Sequence, residues 1–515
     1  MLHYKIYSNL YKDSVSLMQI SSRLSGLEGV RQASVAMATE ANLDRMRDAG
    51  MAISEVAKPS DLLIALLADE AIGQQALALA DELLRPAPVD DAPGAVGQRP
   101  ATSLAMGKER DSDANLALIS VPGRYAAAEA LKALHLGMNV MLFSDNVPEA
   151  QELAIKEFAA RQDLLVMGPD CGTAIVNGMP LGFANVVRRG TIGLVAASGT
   201  GLQEVSCRIH HLGEGVSQAL GTGGRDLHEE IGGLSMQQAL RMLAADPDTR
   251  LITLISKPPA EAVSQQVLAL ARECGKPVVV HFLGADCAAL AAQGVIPAAS
   301  LQHAADVAVA ILRDEPQPSS ISLDDAALDQ VRSALGAMAP GQRDIRGIFA
   351  GGSFCYEAQL ALIAAGLACE SNAPVKGTSA LQDPARGYGH SLVDMGDDEF
   401  TQGRPHPMID PTLRNARLLQ EAADPATAIL LFDVVLGYGA SLDPTGELLA
   451  TLARARHEAE QTGRQLIAIA HVCGTELDPQ PRQQQIDRLR EAGVLIAQSN
   501  MQAAQLAARL ALQLK

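Results

Sequence analysis

Apolar residues fall into two textures along this chain. Over the first 85 residues they alternate or recur at helical spacing. Residues 3–9 (HYKIYSN), 29–37 (GVRQASVAM) and Asp61–Ala68 read as strands, and 13–25, Thr39–Ala49 and Glu70–Leu84 as helices, the first carrying Val15, Leu17, Met18, Ile20 and Leu24 on one broad face. The pattern predicts a small α+β module of βαβ type, ferredoxin-like, ending near Arg85. From residue 113 onward the apolar stretches become short and continuous: 115–121 (NLALISV), 138–143 (MNVMLF), 164–167 (LLVM), 191–196 (TIGLVA), 250–255 (RLITLI) and 277–283 (PVVVHFL). Each is followed by a Gly-, Ser- or Pro-bearing turn and then a helical pattern. Parallel strands buried on both faces require this.

Two stretches interrupt the pattern. Residues 86–112 are rich in Pro, Gly and Ala without periodicity, and Asp314–Ser322 (DEPQPSSIS) separates the first series of runs from a second: 344–350, 391–394, 428–435, 465–470 and 494–497. The predicted organisation is therefore an assembly module at 1–85, a linker at 86–112, Rossmann-like and flavodoxin-like α/β domains at 113–185 and 186–313, a linker at 314–340 and a flavodoxin-type domain at 341–515. The last two blocks read as distant copies of one plan.

Composition narrows the function. The chain has 515 residues, 59 acidic against 41 basic side chains and a net charge of −18, so it repels phosphate backbones and nucleic acid is not an expected partner. Hydrophobic residues make up 48% and aromatics 3% with no Trp, so its cores must be aliphatic. The first residues lack a signal-peptide pattern, and no apolar run nears the roughly 18–20 residues that span a bilayer; a soluble, cytoplasmic protein is expected. Seven scattered cysteines, none spaced as CxxC, imply reduced thiols and no structural zinc.

In parallel α/β sheets, ligands sit at the carboxyl ends of strands, where helix N-termini favour anions. Three such turns follow the middle strands: Gly168-Pro169-Asp170-Cys171-Gly172-Thr173, Ser198-Gly199-Thr200-Gly201, and Gly221-Thr222-Gly223-Gly224-Arg225-Asp226. One Gly-rich turn occurs in many sheets that bind nothing; three in one sheet point to an anion pocket, with Arg225 able to clamp a carboxylate or phosphate. The last block adds Gly351-Gly352-Ser353 and a Pro-stiffened loop carrying Arg404, His406 and Asp410, which reads either as a pre-positioned charged set or as a loop whose Arg and His pair with nearby carboxylates. Lys257, just after a strand, is either an anion ligand or an ordinary exposed lysine. His471 is either an acid–base or a satisfied buried ring, and Cys171 is expected as a packed thiol. Asp394, Asp397, Asp398 and Glu399 could hold a metal, but a solvated acidic loop is the preferred reading.

Those same residues carry a resemblance. VMGPDCGT, LVAASGTGLQE and GTGGRD look like the GPNC, SRSGTL and GIGGD segments of the succinyl-CoA synthetase alpha subunit. Across the chain DSVSLM (13–18), FSDNVP (143–148), SKPPAEAV (256–263) and GRPHPMIDPTLRN (403–415) are similar to the FdrA family. The resemblance implies a CoA-binding-like domain at 113–185, a ligase domain after it, and CoA as a cofactor the scaffold admits. Two departures stand out: the Gly-rich CoA-phosphate turn is missing, and Pro277–Leu283 runs through Gly284-Ala285-Asp286 into a helix without the synthetase's phosphohistidine loop.

The FdrA resemblance further implies a subunit of oxamate carbamoyltransferase in allantoin catabolism, working with partner enzyme subunits and as a homo-oligomer. Its substrates would be small anions: oxalurate and phosphate converted to oxamate and carbamoyl phosphate. Arg225, Lys257, Arg404 and His406 are then the expected catalytic groups. The expected anion cradle comprises Gly168, Pro169, Asp170, Cys171, Gly172, Ser198, Gly199, Thr200, Gly201, Gly223, Gly224, Gly351 and Gly352. The alternatives are an NDP-forming acyl-CoA synthetase and a non-catalytic CoA-sensing scaffold.

Overall fold

A computed structural model describes residues 1–12, 14–53, 55–85, 101–319, 335, 338–383, 385–401 and 404–514. The expected linkers lie largely outside these residues. Within the first, however, Leu104–Arg110 is a short helix, its start fixed by the Ser103 hydroxyl accepting from the Met106 amide.

Two compact units emerge, one of residues 1–114 with 398–410, the other of 115–397 with 411–515. The first is built from β1 (Leu2–Tyr7), α1 (Ser14–Ser25), β2 (Val30–Met37), α2 (Glu40–Asp48), β3 (Leu62–Ala68), α3 (Glu70–Leu84) and the helix at 104–110, α4. As the ferredoxin-like expectation requires, β3 lies between β1 and β2 and runs antiparallel to both, a split βαβ arrangement. The reason is burial. Six of the seven β3 residues are buried, Leu62 to Leu66 and Ala68, which suits the sheet centre, whereas β1 is half-exposed throughout and takes an edge. Leu17, Ile20 and Leu24 of α1 pack with Ala76 and Ala80 of α3 over one face.

The second unit contains three sheets. The first is parallel: β4 (Leu116–Ile119), α5 (Gly123–His135), β5 (Asn139–Leu142), α6 (Glu149–Arg161) and β6 (Val166–Met167). After β7 (Thr173–Val176) and β8 (Met179–Gly182) come β9 (Arg189–Ala196), α7 (Gly199–His211), β10 (Val216–Gly221), α8 (Leu234–Ala245), β11 (Leu251–Ser256), α9 (Glu261–Glu273), β12 (Val278–Phe282), α10 (Cys287–Ala292), β13 (Ile296–Pro297) and α11 (Leu301–Leu312). Their sheet runs β13-β12-β11-β9-β10-β7-β8. The β7–β8 hairpin pairs antiparallel onto β10, so this sheet takes in residues 173–182, which the sequence reading assigned to the preceding domain.

The third sheet holds β14 (Asp344–Phe349), α12 (Gly352–Ala364), β15 (Cys369–Ser371), β16 (Ser379–Ala380), β17 (His390–Asp394), then, past the short helix α13 (Asp398–Thr401) of the first unit, α14 (Thr412–Ala423), β18 (Thr427–Val435), α15 (Gly446–Gln461), β19 (Ile467–Cys473), α16 (Arg482–Glu491), β20 (Leu495–Ala497) and α17 (Asn500–Ala511). Its order is β16-β15-β17-β14-β18-β19-β20, all parallel. All nine residues of β18 and all seven of β19 are buried, as continuous apolar runs demand. In each large sheet a central strand, β9 or β14, is followed in the chain by strands added on either side of it, the β7–β8 hairpin of the first sheet lying beyond β10. That arrangement places a topological switch point at the carboxyl end of each, immediately before Ser198 and Gly351.

Candidate functional site

At the end of β9, Ser198 caps α7, its Oγ accepting from the Gly201 amide at 2.9 Å. At the end of β14, the Asp433 carboxylate accepts from the Ala350 and Gly351 amides at 2.8 and 2.7 Å and fixes the turn into α12. Arg414 donates to the Asp433 carbonyl at 3.0 Å. The two turns face each other: Ser198 Oγ lies 2.5 Å from Ser353 Oγ, although 155 residues separate them. Among the described residues, the amides of Gly199 and Thr200 on one side and of Gly352 and Ser353 on the other donate to no protein acceptor. Two positive helix ends thus converge on one place.

Charged groups border this cleft. Asp394, at the end of β17, is 5% exposed. Burial pushes its carboxyl up to about 7, against the pull of the Lys257 ammonium toward the ionised form. The expected solvated acidic loop is therefore corrected at Asp394, which the sheet buries; no three His, Cys, Asp or Glu side chains among the described residues form a metal-ligand cluster. Gly352 has a steric reason to be glycine, because a Cβ there would stand 2.5 Å from Asp394 Oδ2. Lys257 is exposed at the end of β11, next to β9 in the sheet.

The other sequence-expected rims gather nearby but are packed against each other. A Cβ on Gly223 (φ +84°) would lie 2.2 Å from the Pro169 carbonyl, and one on Gly221 2.6 Å from Cys171 Sγ. These turns meet backbone to backbone, leaving Asp170 and Gly224 exposed, with Gly172 half-buried between them. Cys171 is the packed thiol expected, buried and pushed up to about 12. Arg225 is engaged: its Nη2 lies 2.9 Å from Glu152 Oε2 and donates to the Val147 carbonyl. Lys156 completes the cluster, bonding Glu152 and Asp226 at 2.8 Å each and the Thr222 carbonyl at 3.2 Å.

Arg404 and His406 belong to the first unit with Asp410. Arg404 is exposed. His406 Nδ1 accepts from the Met408 amide, and burial lowers its pKa to about 4, so the ring is neutral at pH 7. From the same motif, Arg414 and Asn415 enter the second unit and are buried there.

Three further histidines, His471, His281 and His303, are held in place. His471 Nε2 is 2.7 Å from Glu204 Oε2, both buried; burial pushes the Glu204 carboxyl up, but His471, Arg482 and Cys473 together hold it below its ordinary value. His281 sits inside β12, and His303 Nδ1 accepts from the Ala299 amide while Nε2 contacts the Pro318 carbonyl. After β12 the chain turns at Gly284 and enters α10, capped by Asp286, so the departure from the synthetase pattern is structural as well. Sequence reasoning missed Glu204, Asp433 and Arg414. The only available signal was a polar residue inside an apolar run, as at Asp433.

Comparison with known proteins agrees with this architecture. Family profiles described as "AllF, heavy metal-associated domain", "CoA binding domain" and "CoA-ligase" match residues 1–100, 188–284 and 348–510. The first carries no cysteine here, since the earliest is Cys171. The alpha subunit of succinate–CoA ligase [ADP-forming] from Methanothermobacter thermautotrophicus is 27% identical over 239 residues, 44% of this chain and 77% of that protein. ADP-forming sulfoacetate-CoA ligase subunit SauD of Bilophila wadsworthia is 25% identical over 155 residues, 29% of this chain and 52% of its own length. "Uncharacterized protein YahF" of Escherichia coli (strain K12) is 46% identical over 499 residues, 96% of both chains. The chain therefore belongs to the family of YahF, the FdrA-type proteins, which join an AllF-type N-terminal domain to a succinyl-CoA-ligase-alpha-like scaffold.

Proposed function

We propose that the Ser198–Ser353 cleft holds a small oxyanion and that the protein is a subunit of an oxamate carbamoyltransferase. The observation that carries this reading is the pair of opposed helix ends, whose four undonated amides border a buried carboxyl poised near neutrality. In the reaction, a phosphate oxygen bonds to the carbamoyl carbon of oxalurate, the bond from that carbon to the oxamate nitrogen breaks, and the nitrogen regains a proton. Amides at 199, 200, 352 and 353 suit the oxyanion that develops on the carbamoyl group. Lys257 suits the oxalyl carboxylate, and Asp394, half-protonated near pH 7, suits the proton transfer. No covalent histidine is needed, which accords with His281, His303 and His471 being held by protein partners.

Arg225 now reads as a positioning residue for the 221–226 turn. Arg404 is kept as a separate candidate for substrate binding: on that role, Arg404→Ala lowers transfer by about tenfold or more. The decisive experiment purifies the protein with its co-expressed partners and measures carbamoyl phosphate formed from oxalurate and phosphate. No product from the complete complex overturns the reading. A second reading, an acid–thiol ligase, is favoured by the CoA-binding and CoA-ligase matches. It requires tight CoA binding and CoA-dependent ADP release in the presence of an acid, and unaltered nucleotide would exclude it.

A further inference from the structure

Asp394 stands against one of the two helix ends that form the cleft. It is 5% exposed at the carboxyl end of β17, and a Cβ on Gly352 would lie 2.5 Å from its Oδ2. That oxygen therefore abuts the first residue of α12, whose amide donates to no protein acceptor among the described residues. The two carboxyl oxygens differ in their surroundings. Oδ1 accepts from the Gly396 amide at 2.9 Å, whereas Oδ2 has no protein donor among the described residues and is not enclosed by them.

Four neighbouring groups act on this carboxyl: the Lys257 ammonium after β11, Asp397 in the turn that follows β17, Asp433 on β18 and the Cys355 thiol on α12. Burial raises the thiol well above 9, so it stays neutral at pH 8. Lys257 is the one cation of the four. An ionised Asp394 thus sets a negative oxygen beside the amides that suit an anion, and an anion is tolerated there only if it brings a proton of its own. Hydrogen phosphate and sulfate are both tetrahedral dianions at pH 8, but only the first has an O–H to give. An O–H donating to a carboxylate forms a short, charge-assisted hydrogen bond; a sulfate oxygen in the same place meets like charge with no proton between.

We propose that Asp394 makes the Ser198–Ser353 cleft selective for an oxyanion that carries a proton, hydrogen phosphate over sulfate, with Oδ2 accepting the O–H while the amides at 352 and 353 hold other oxygens of the anion. This rests on the oxyanion reading of the cleft and adds to it the protonation state of the substrate.

The test is calorimetry on the full-length protein with inorganic phosphate and with sulfate at pH 8, where the two dianions differ by their proton, and with sulfate again at pH 5.5, where sulfate is still unprotonated and Asp394 is not. Because this carboxyl titrates near 7, about one molecule in ten keeps the proton at pH 8, so phosphate should bind about tenfold more tightly than sulfate there, and sulfate should weaken about tenfold between pH 5.5 and 8. Asp394→Asn carries an amide N–H that donates to either anion at any pH, so both differences should fall to about twofold or less. Equal binding of the two anions at pH 8, or an undiminished preference in Asp394→Asn, overturns the proposal and leaves the oxyanion reading standing. Binding of neither anion at millimolar concentration overturns both. A protein that shows the preference yet forms no carbamoyl phosphate in its complete complex supports the selectivity and loses only the transferase assignment.

Discussion

Replacing Asp394 with asparagine removes a charge that the fold does not accommodate well. The carboxyl ionises near 4 in an unfolded chain, whereas burial holds it protonated up to about 7 in the folded one. Below pH 4 both states are protonated and the group has no effect on stability. As pH rises from about 4 to 7 the unfolded state loses its proton first, so stability falls over that window and stays lowered above it. Three units at about 1.4 kcal/mol each set an upper bound of about 4 kcal/mol. The amide keeps the shape and an oxygen for the Gly396 amide, which Asp394 Oδ1 accepts at 2.9 Å, but cannot ionise. Urea titrations followed by circular dichroism at pH 4, 6 and 8 should show Asp394→Asn gaining on the parent as pH rises, by up to that bound at pH 8. Glu357, also raised to about 7 by burial, is common to both proteins and cancels in the difference. A pH-independent gap between them would refute the assignment. The same substitution should lower carbamoyl transfer by at least tenfold, the usual worth of a positioned acid–base.

Gly352→Ala places a methyl group against Asp394 Oδ2 and over the undonated amides, so sulfate or phosphate affinity measured by calorimetry should fall about tenfold or more while the circular dichroism spectrum is kept. Lys156→Met leaves Glu152 with Arg225 as its one cation and Asp226 with none, only the Ser235 and Met236 amides, and should cost about 3–5 kcal/mol of stability, read as a lower urea midpoint. Arg225→Ala should destabilise by about 1–3 kcal/mol, because Glu152 loses a charged partner; if it instead weakens phosphate binding with the midpoint unchanged, Arg225 is a ligand after all. Gly223→Ala meets the Pro169 carbonyl at a positive φ, and a clearly lowered thermal midpoint is expected.

Strands buried on both faces were legible because apolar residues fill most of their positions, as β18 and β12 demonstrate. Strand β10 was not, since Ser217 and Gln218 interrupt its run; the structure pairs Ser217 Oγ with Thr249 Oγ1 at 2.6 Å and Gln218 with Asn177. The β7–β8 hairpin did carry a signal, the Asn177-Gly178 pair, both residues at positive φ. Each half of the site was readable as a Gly-rich turn after a strand. That Ser198 and Ser353 meet was not, because contact across 155 residues is written in packing and not in local pattern. Asp394 misled for the same reason: its acidic neighbours suggest water, and only the sheet excludes it.

Both halves of the cleft are carried by one polypeptide, which has a consequence for how the protein behaves on dilution. When two separate chains supply facing halves of a site, lowering their concentration empties it by mass action. Here the covalent connection keeps each half at an effective concentration on the order of millimolar relative to the other, whatever the amount of protein present. The contact at Ser198 and Ser353 can therefore be weak enough to part and close again around a ligand without the two halves ever drifting away from each other.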